Sequence, residues 1–463
     1  MIKNLVAAGL TTWILLPSAW AADATTPGEV STPYPTLINL SVEWAITGDD
    51  DLDGVVAVEY RRSGSGAWLD AMPLRRIPAG SNVGFSWGNK HSGSILDLDP
   101  DTQYEIRLTL SDPDGGSETR TVSARTRAVP ADPPNPRVRS ANPSSLSSVM
   151  SSAEPGDIIV LESGGYAGFN VGRSGTASEP IVMRSETPGG AVFNGDFRID
   201  NRSYVHLEDV TVNGMIKFNN STGIVVRRCS VNTGQHGIVA IGNGATNAYI
   251  ADNVVIGSTG WDPSTVGTSG NNTGEGIQIT GPGNVIAYNR VRGFRDAISF
   301  MEDSGARNQV SIDVYNNDIE VGADDGIEAD FCMGNCRIMR NRITNANVAL
   351  SSQPGLGGPT YFIRNVVYNL TLVAFKLHRG SVGDVALHNT SIKCGDAHAV
   401  YTSDTFSDAW FRNNIFIGGA AGSSECRGTG AVAVLYAAGP TCHFDYDGYG
   451  SIGTGEFRGN IIG

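Results

Sequence analysis

The 463-residue sequence predicts an all-β protein in which an antiparallel β-sandwich precedes a solenoid of stacked coils. Two observations lead to this prediction. An Asn followed two residues later by Ile or Val recurs through the C-terminal part, at a spacing that settles near 24 residues. Nearer the N-terminus, short segments alternate apolar and polar residues between turns. The composition agrees, because glycine is abundant (58 residues) and charged residues are sparse (17%), as in turn-rich β architectures.

Residues 1–21 predict a cleaved export signal. Lys3 supplies a basic start, an apolar run follows from Leu5 to Leu16, and Ala19-Trp20-Ala21 has the small-x-small pattern of a cleavage site. The apolar run is too short to span a bilayer, so we expect no membrane span and a secreted or periplasmic protein. The formal net charge of -14 argues against nucleic acid as a partner.

Residues 35–128 predict the sandwich. Segments such as "LINLSVEWAI", "VVAVEYRR" and "YEIRLTLSD" are typical of short antiparallel strands. Tyr104 follows Leu98 by six residues at the start of a strand, as in a tyrosine corner. The region resembles a fibronectin type III domain, which implies a spacer or binding module. The turn "DDDLDG" resembles half a calcium loop, but Tyr60 stands where such a loop has Glu, which favours a hairpin turn.

Residues 129–137 are Pro-rich and predict a linker. The next region, 138–463, opens with "PSSLSSVMSSAEPGDIIVLESGGY", which predicts a short amphipathic helix, a turn and a strand. This opening is similar to the N-terminal cap and first coil of pectate-lyase-like proteins. The resemblance implies a right-handed parallel β-helix for residues 138–463.

The recurring asparagines support the solenoid independently, because a fixed period near 24 residues is its sequence signature. We expect them to stack at one turn of each coil as a hydrogen-bonded ladder, with a structural role. The predicted ladder contains Asn253, Asn289, Asn317, Asn341, Asn365, Asn389 and Asn413.

A short step motif aligns six coils: His236-Gly-Ile, Glu275-Gly-Ile, Asp296-Ala-Ile, Asp325-Gly-Ile, Val348-Ala-Leu and Val373-Ala-Phe. The third residue of each step is expected to point into the core. The next position then forms an outward column of Val239, Gln278, Ser299, Glu328, Ser351 and Lys376. A second column contains Ile241, Thr280, Met301, Asp330, Gln353 and His378.

This alignment predicts an acidic cluster beside a basic one in a half-exposed groove. The acidic residues are Glu275, Asp296, Asp324, Asp325, Glu328 and Asp330. Carboxylates about 5 Å apart cannot all ionise freely, so either a pKa rises or a cation lies between them. Lys376, His378 and Arg379 follow two coils later, roughly 10 Å away by coil spacing. The predicted substrate-binding residues are Gln278, Ser351 and Gln353.

One mechanism for this groove is β-elimination by a polysaccharide lyase, which the sequence favours. Lys376 or His378 would remove the C5 proton of a uronate, and Arg379 would bind its carboxylate. "AFKLHRG" resembles a coil of β-helix alginate and chondroitin lyases, with Arg and His in inverted order and Ser351 and Gln353 in place of their lysine. The predicted Ca²⁺ ligands are Glu275, Asp325, Glu328 and Asp330. An epimerase would begin with the same proton abstraction.

Two other functions are open. Asp296 and the pair Asp324-Asp325 resemble two elements of the polygalacturonase-like inverting hydrolases, although the histidine and the Arg-x-Lys of that group are missing. A non-catalytic glycan-binding surface protein is the third possibility. In each case the expected partner is a polysaccharide and the expected state a monomer. Trp261 and Tyr361, in loops, are candidates for stacking on sugar rings.

The six cysteines suit an oxidising compartment. Cys332 and Cys336 are expected to form a disulfide around a tight loop. Cys426 and Cys442 are a second candidate pair in the C-terminal part, whereas Cys229 and Cys394 receive no predicted partner.

Overall fold

The computed structural model describes residues 22–420, 426–451 and 457–459. The predicted export signal, residues 1–21, lies outside the described residues. Within them, no helix is long and apolar enough to cross a membrane. The helical segments of the same ranges are one α-helix, Leu146–Ser151, and one 3-10 turn, Asp303–Gly305.

The N-terminal part is a sandwich of two antiparallel four-stranded sheets. One sheet orders the strands Thr26–Ser31, Leu40–Thr47, Lys90–Ile95 and Arg75–Ile77, and the other orders Glu118–Arg125, Gln103–Ser111, Val55–Arg62 and Leu69–Asp70. Their alternating apolar side chains bury a core around Trp44 and Leu108. The Tyr104 hydroxyl accepts a hydrogen bond from the Asp99 amide at 3.0 Å, which confirms the tyrosine corner.

A separate two-stranded hairpin lies, in the sequence, between two strands of the sandwich, Arg75–Ile77 and Lys90–Ile95. Its strands are Gly80–Asn82 and Phe85–Trp87, and they pair antiparallel. Asn82 lies opposite Phe85, and Gly80 lies opposite Trp87. Because side chains alternate along a strand, these four residues share one face of the hairpin.

The remainder is a parallel β-helix of about 12 turns, as predicted. Two long sheets form its walls. The 13-stranded sheet orders Arg137–Ala141, Asp157–Leu161, Ile181–Ser185, Val205–Glu208, Val225–Arg227, Tyr249–Ala251, Val285–Ala287, Asp313–Tyr315, Cys336–Met339, Leu356–Ile363, Val382–Leu387, Trp410–Arg412 and His443–Asp445.

The 19-stranded sheet carries the residues of the predicted groove. It orders Gly164–Asn170, Ala191–Arg198, Thr211–Asn213, Ile216–Lys217, Ser230–Asn232, Ile238–Ala240, Val254–Ile256, Glu275–Ile279, Arg290–Phe294, Asp296–Phe300, Asp318–Glu328, Arg342–Ser352, Val366–Leu377, Thr390–Ile392, His398–Tyr401, Ile415–Gly418, Ala433–Leu435, Gly448–Ser451 and Phe457–Gly459. A two-residue pairing joins Ser221–Thr222 and Ala245–Thr246.

The predicted Asn ladder is present and buried. Each side-chain amide donates to the carbonyl oxygen of the next Asn side chain, over 2.9 to 3.0 Å, from Asn253 through Asn389. The ladder then continues to Asn414, so the prediction of Asn413 was wrong. The step from Asn389 to Asn414 is one residue longer than the preceding step, and Asn413 instead adopts a left-handed backbone with φ of 59°.

The sandwich is fastened to the β-helix by buried polar contacts. The Arg337 guanidinium is fully buried, pairs with Asp313 over 2.5 Å and donates to the hydroxyls of Ser41 and Ser94. The predicted linker is also held, because Arg227 donates to the Pro130 carbonyl at 2.9 Å. These buried contacts join residues of the sandwich to residues of the β-helix, so the two parts are packed against each other rather than loosely tethered.

The disulfides follow the prediction in part. Cys332 and Cys336 are bonded, as expected. Cys426 is bonded to Cys394 and not to Cys442, so the second predicted pair was wrong. Cys442 is buried elsewhere in the coil, where its sulfur contacts the Phe406 carbonyl.

Candidate active site

The strand register of the 19-stranded sheet confirms the alignment derived from the step motif. In four successive coils Ser299, Glu328, Ser351 and Lys376 lie side by side. The column continues to Gln278 on one side and Tyr401 on the other. The predicted core column of Ile277, Ile298, Ile327, Leu350 and Phe375 is buried beneath it.

Lys376 joins the acidic and basic clusters into one. Its ammonium group contacts the Asp325 carboxylate and lies 3.0 Å from Glu328 Oε1. Coil spacing alone had placed the two clusters roughly 10 Å apart. Ser351, on the coil between them, is small enough for the long lysine side chain to cross it. The groove is also less exposed than predicted, because Asp325, Glu328 and Lys376 are all buried.

A cavity of about 680 Å³ opens over this cluster. Its acidic lining residues are Glu275, Asp296, Glu302, Asp324 and Glu328. Its basic lining residues are Arg295, Lys376, His378, Arg379 and Arg427. Gln353 and Tyr401 also line it, whereas the predicted Gln278 does not. A cavity with both signs of charge can bind an anionic ligand and still hold carboxyl groups for proton transfer.

Several of these lining residues were not predicted from the sequence. Arg295 directly precedes Asp296, and Glu302 follows the Met301 position of the second column. The coil alignment could have predicted both residues, because each lies next to a position that it had aligned. The loop segment Val266–Ser269 and Arg427 were not, because they reach the cavity from parts of the chain that carry no repeat signal.

The carboxyl groups differ in their protonation. Burial and the neighbouring Glu328 raise the pKa of Glu275 to about 7. Burial, with Glu328 again nearby, also raises the pKa of Asp296 and Asp330 well above the usual range. Burial likewise raises the pKa of Asp325, although Lys376 opposes that effect. These carboxyls therefore hold protons at pH values where an exposed carboxyl is ionised.

Glu328 and Lys376 are the charged pair of the site. Burial disfavours the charge on each of them, but Asp325 and then Glu328 hold the proton on Lys376, and Lys376 stabilises the charge on Glu328. The pKa of Glu328 is lowered and the pKa of Lys376 is raised. Glu328 is thus an ionised carboxylate and Lys376 a protonated ammonium at neutral pH.

Hydrogen bonds orient the other acids. The Ser299 hydroxyl donates to Glu275 at 2.7 Å, and the Asp325 amide donates to Asp296 at 2.9 Å. The Ser351 hydroxyl donates to Asp330 at 2.7 Å. Ser351 was predicted from the sequence to contact the substrate. It is fully buried and instead supports Asp330.

His378 and Arg379 lie at the rim of the cavity. The His378 Nδ1 atom is 3.3 Å from the Ser403 hydroxyl, and its ring centroid is 5.3 Å from that of Tyr401. Burial and the positive charges of Lys376 and Arg379 lower the pKa of His378. Its imidazole is therefore neutral near pH 7. Arg379 is exposed and forms no ion pair within the described residues.

At this site, three groups of carboxylates in the described residues have an oxygen each within 4.8 Å of one another, as a cation site requires. They are Glu275–Asp296–Glu328, Asp296–Asp324–Asp325 and Glu302–Glu328–Asp330. The last group includes Asp330, whose Oδ2 atom is buried and has no hydrogen-bond partner in the described part of the chain. The four predicted ligands are not one group, because Glu275 and Asp330 belong to different groups and Asp325 is held by Lys376.

The loop from Gly257 to Thr273 forms one wall of the site. The Gly267 amide donates to the Ala323 carbonyl at 2.8 Å, which fastens the loop over the strand that carries Asp324 and Asp325. Trp261, in the same loop, lines an adjoining cavity of about 220 Å³ that shares Val266 and Arg427 with the main one. Tyr361 was wrongly predicted to stack on sugars. It is buried, and its hydroxyl accepts from the Ser94 amide.

Comparison with known proteins gives one family match and several solved structures of similar topology. The family "Chondroitinase B" matches residues 140–228. The Yersinia enterocolitica family 28 exopolygalacturonase has 9% identity over 94% of this chain and 97% of its own, with a TM-score of 0.44. The GH87 α-1,3-glucanase catalytic domain has 9% identity over 95% of each chain, with a TM-score of 0.45.

The PL6 family alginate lyase AlyGC has 12% identity, with a TM-score of 0.43, over 71% of this chain. The alignment spans 54% of that lyase, about half of its length. No curated protein sequence matches the chain significantly. The chondroitinase B match ends at residue 228, before every carboxylate of the cavity. This chain has a helical cap, two long parallel sheets and an Asn ladder. Its C-terminal part is a pectate-lyase-like parallel β-helix.

Proposed function

We propose that this protein is a carbohydrate-active enzyme that cleaves a uronate-containing polysaccharide by β-elimination in the 680 Å³ cavity. The observation that carries the proposal is the neutral His378 beside the free guanidinium of Arg379 at the rim of that cavity. The chondroitinase B match supports an enzyme of this broad class.

His378 suits the role of base better than Lys376. A general base must be unprotonated and within reach of the proton that it removes. Lys376 is buried and keeps its proton because of Asp325 and Glu328. His378 faces the cavity and is neutral. The proton on C5 of the uronate would pass to His378, and the electron pair would move into the carboxylate.

Several groups would stabilise the negative charge that then develops. Arg379 and Arg295 line the cavity and can pair with the uronate carboxylate. Asp296 keeps its proton, so it can donate a hydrogen bond to the same carboxylate, as a neutral buried acid does in other proton-abstracting sites. The bond from C4 to the leaving oxygen would then break and a C4–C5 double bond would form. Tyr401, which lines the cavity, would return a proton to that oxygen.

A calcium ion fits the group Glu302–Glu328–Asp330, since Asp330 Oδ2 has no other partner among the described residues. Bound there, it would supply further charge neutralisation for the substrate carboxylate. The proposed proton transfer does not require the ion, because His378, Arg379, Arg295, Asp296 and Tyr401 supply its groups.

The test is to mix the purified protein with a panel of polyuronates and follow the ultraviolet absorbance of unsaturated products, with reducing ends measured in parallel. We expect both signals to rise with wild type and the absorbance to be lost with His378→Ala. Reducing ends without unsaturated product would overturn the lyase.

A hydrolase is the second candidate, and Glu275 favours it. Glu275 is half-buried, lines the cavity and has a pKa of about 7, while the ionised Glu328 lies in the same group. A protonated acid beside an ionised carboxylate is the pairing that glycoside hydrolysis uses. A carboxylate oxygen of Glu275 lies within 4.8 Å of one of Glu328. This separation is shorter than the roughly 6.5–9.5 Å between the carboxyl groups of inverting pairs, so it does not favour the inverting mechanism. Reducing ends that form without unsaturated product in wild type, and that are lost in Glu275→Gln, would support it.

A further inference from the structure

We propose that the sandwich hairpin, Gly80–Asn82 with Phe85–Trp87, is a positioning element of the active site. Its inner face contacts segments that lie shortly after site residues in four successive coils. This inference deepens the proposed function, and its catalytic consequence rests on that function. The contacts of the hairpin with the β-helix do not depend on it. It assigns the sandwich a role that a spacer or a separate binding module would not have.

Asn82 makes the contact nearest to the chemistry. Its side-chain Nδ2 donates to the carbonyls of Arg379 at 2.8 Å and Gly380 at 3.0 Å. Arg379 has a left-handed backbone with φ of 58°, and it follows His378 directly. Because two consecutive carbonyls are held by one amide, the turn that aims the Arg379 side chain is set by a residue 297 positions earlier in the chain.

The two aromatic side chains of the hairpin hold the three preceding coils. Phe85 and Trp87 pack against a small buried apolar cluster of Ala306, Phe331 and Leu356. The Phe85 and Phe331 rings meet edge to face, with centroids 5.7 Å apart. These contacts lie outside the hydrophobic core of the β-helix and form a core of their own under the hairpin.

Each member of that apolar cluster lies close in sequence to a residue of the site. Ala306 follows Glu302, Phe331 follows Asp330, and Leu356 follows Gln353. Glu302 and Gln353 line the cavity, and Asp330 belongs to the carboxylate group beneath it. The hairpin therefore contacts the same edge of the sheet at which the site strands end.

Close approach also shows that the fit is tight. Trp87 lies so near Gly357 that a Cβ added to that glycine would come within 2.7 Å of the indole nitrogen. Gly357 has φ of 85°, a conformation that favours glycine. On the opposite face of the hairpin, Ser81 and Ser86 are exposed, so the hairpin has one face for the β-helix and one for solvent.

The experiment compares Asn82→Ala with Ser81→Ala, its neighbour on the outer face. Backbone hydrogen exchange of the segment 376–381 and the melting temperature are measured for both, and KM and kcat are measured on the polyuronate that wild type cleaves. For Asn82→Ala we expect exchange of this segment to rise about tenfold and KM to rise about tenfold, since loss of such a bond costs about that factor. The melting temperature and kcat should change little.

Asn82→Asp is the second variant, because it keeps the shape but cannot donate to the carbonyls. It should behave at least as badly as Asn82→Ala, while Ser81→Ala should match wild type. Unchanged exchange in both Asn82 variants would overturn the inference even if the protein is a lyase. Raised exchange in a protein that cleaves no polyuronate would uphold the contact and overturn the proposed function instead.

Discussion

The Lys376 ammonium lies 3.0 Å from Glu328 Oε1, although the two residues are two coils apart in the stack. Both side chains are buried, and the same ammonium also contacts Asp325. The pair divides the carboxyl groups of the site into one ionised carboxylate and several protonated acids. Lys376 thus controls the charge of the cavity floor without being free to accept a proton.

Removal of Lys376 should destabilise the protein. Lys376→Met leaves the ionised Glu328 without its buried counter-ion, which costs about 3–5 kcal/mol of unfolding free energy. Urea unfolding followed by circular dichroism measures it. The double variant Lys376→Met with Glu328→Gln should recover part of the loss, since it removes the unpaired charge. A loss below about 1 kcal/mol in the single variant would mean that the pair is not buried in solution.

The pH profile should identify the base. Burial, Lys376 and Arg379 lower the pKa of His378 below its ordinary value of 6.5, so the neutral base persists as the pH falls. We expect kcat/KM to rise with pH to a plateau, with its midpoint below 6.5. If Lys376 were the base, its raised pKa would place the midpoint above 10.5.

Replacement of the histidine supplies the control. His378→Ala should lower kcat by about 10²–10⁴ and abolish this limb of the profile. His443→Ala is the matched variant, because the pKa of His443 is also lowered by burial while the residue does not line the cavity. Equal losses in the two variants would contradict the assignment.

Calcium should raise the melting temperature if it binds Glu302, Glu328 and Asp330. Asp330→Asn should remove that shift, as measured by calorimetry with EDTA or added CaCl₂. The raised pKa values of Glu302 and Asp330 mean that protons compete with the ion, so affinity should fall as the pH decreases. Asp51→Asn controls for the acidic turn of the sandwich, which forms another carboxylate group. An undiminished shift in Asp330→Asn would exclude this site.

Trp261 and Arg427 should extend the substrate groove. They line the 220 Å³ cavity that adjoins the main one, where the indole can stack on a sugar ring and the guanidinium can pair with its carboxylate. Trp261→Ala should raise KM about five- to tenfold for long oligosaccharides, from about 1 kcal/mol of lost stacking. The shortest substrate that is cleaved should be unaffected, as should Trp68→Ala, a tryptophan of the sandwich. An equal effect on short and long substrates would contradict the extended groove.

The sequence predicted the register of the site with good accuracy. Asp296, Asp325 and Lys376 were aligned from one step motif, because successive coils repeat the same inward and outward positions. The same reasoning failed at Asn413, where one extra residue in the coil moved the ladder to Asn414. The spacing of a repeat predicts which residues stack only while the coil length stays constant.

The failures within the site have a different cause. The Lys376 side chain extends across two coils because Ser351, on the coil between, is small. The spacing of the coils does not show which direction a long side chain takes or how far it extends. Arg427 and the loop around Thr268 reach the cavity from distant parts of the chain. Disulfide pairing failed likewise, since Cys426 meets Cys394 through the stacking of coils and not through proximity in sequence.

The sequence by itself determined the all-β class, the solenoid, the order of its coils and the column of acids that faces outward. These follow from local periodicity, which every coil repeats. The tertiary structure alone decided which acids stay protonated, that Lys376 is a buried counter-ion, and that Asn82 of the sandwich holds the turn at Arg379. Such properties depend on burial and on contacts between residues hundreds of positions apart, and neither is encoded in a local pattern.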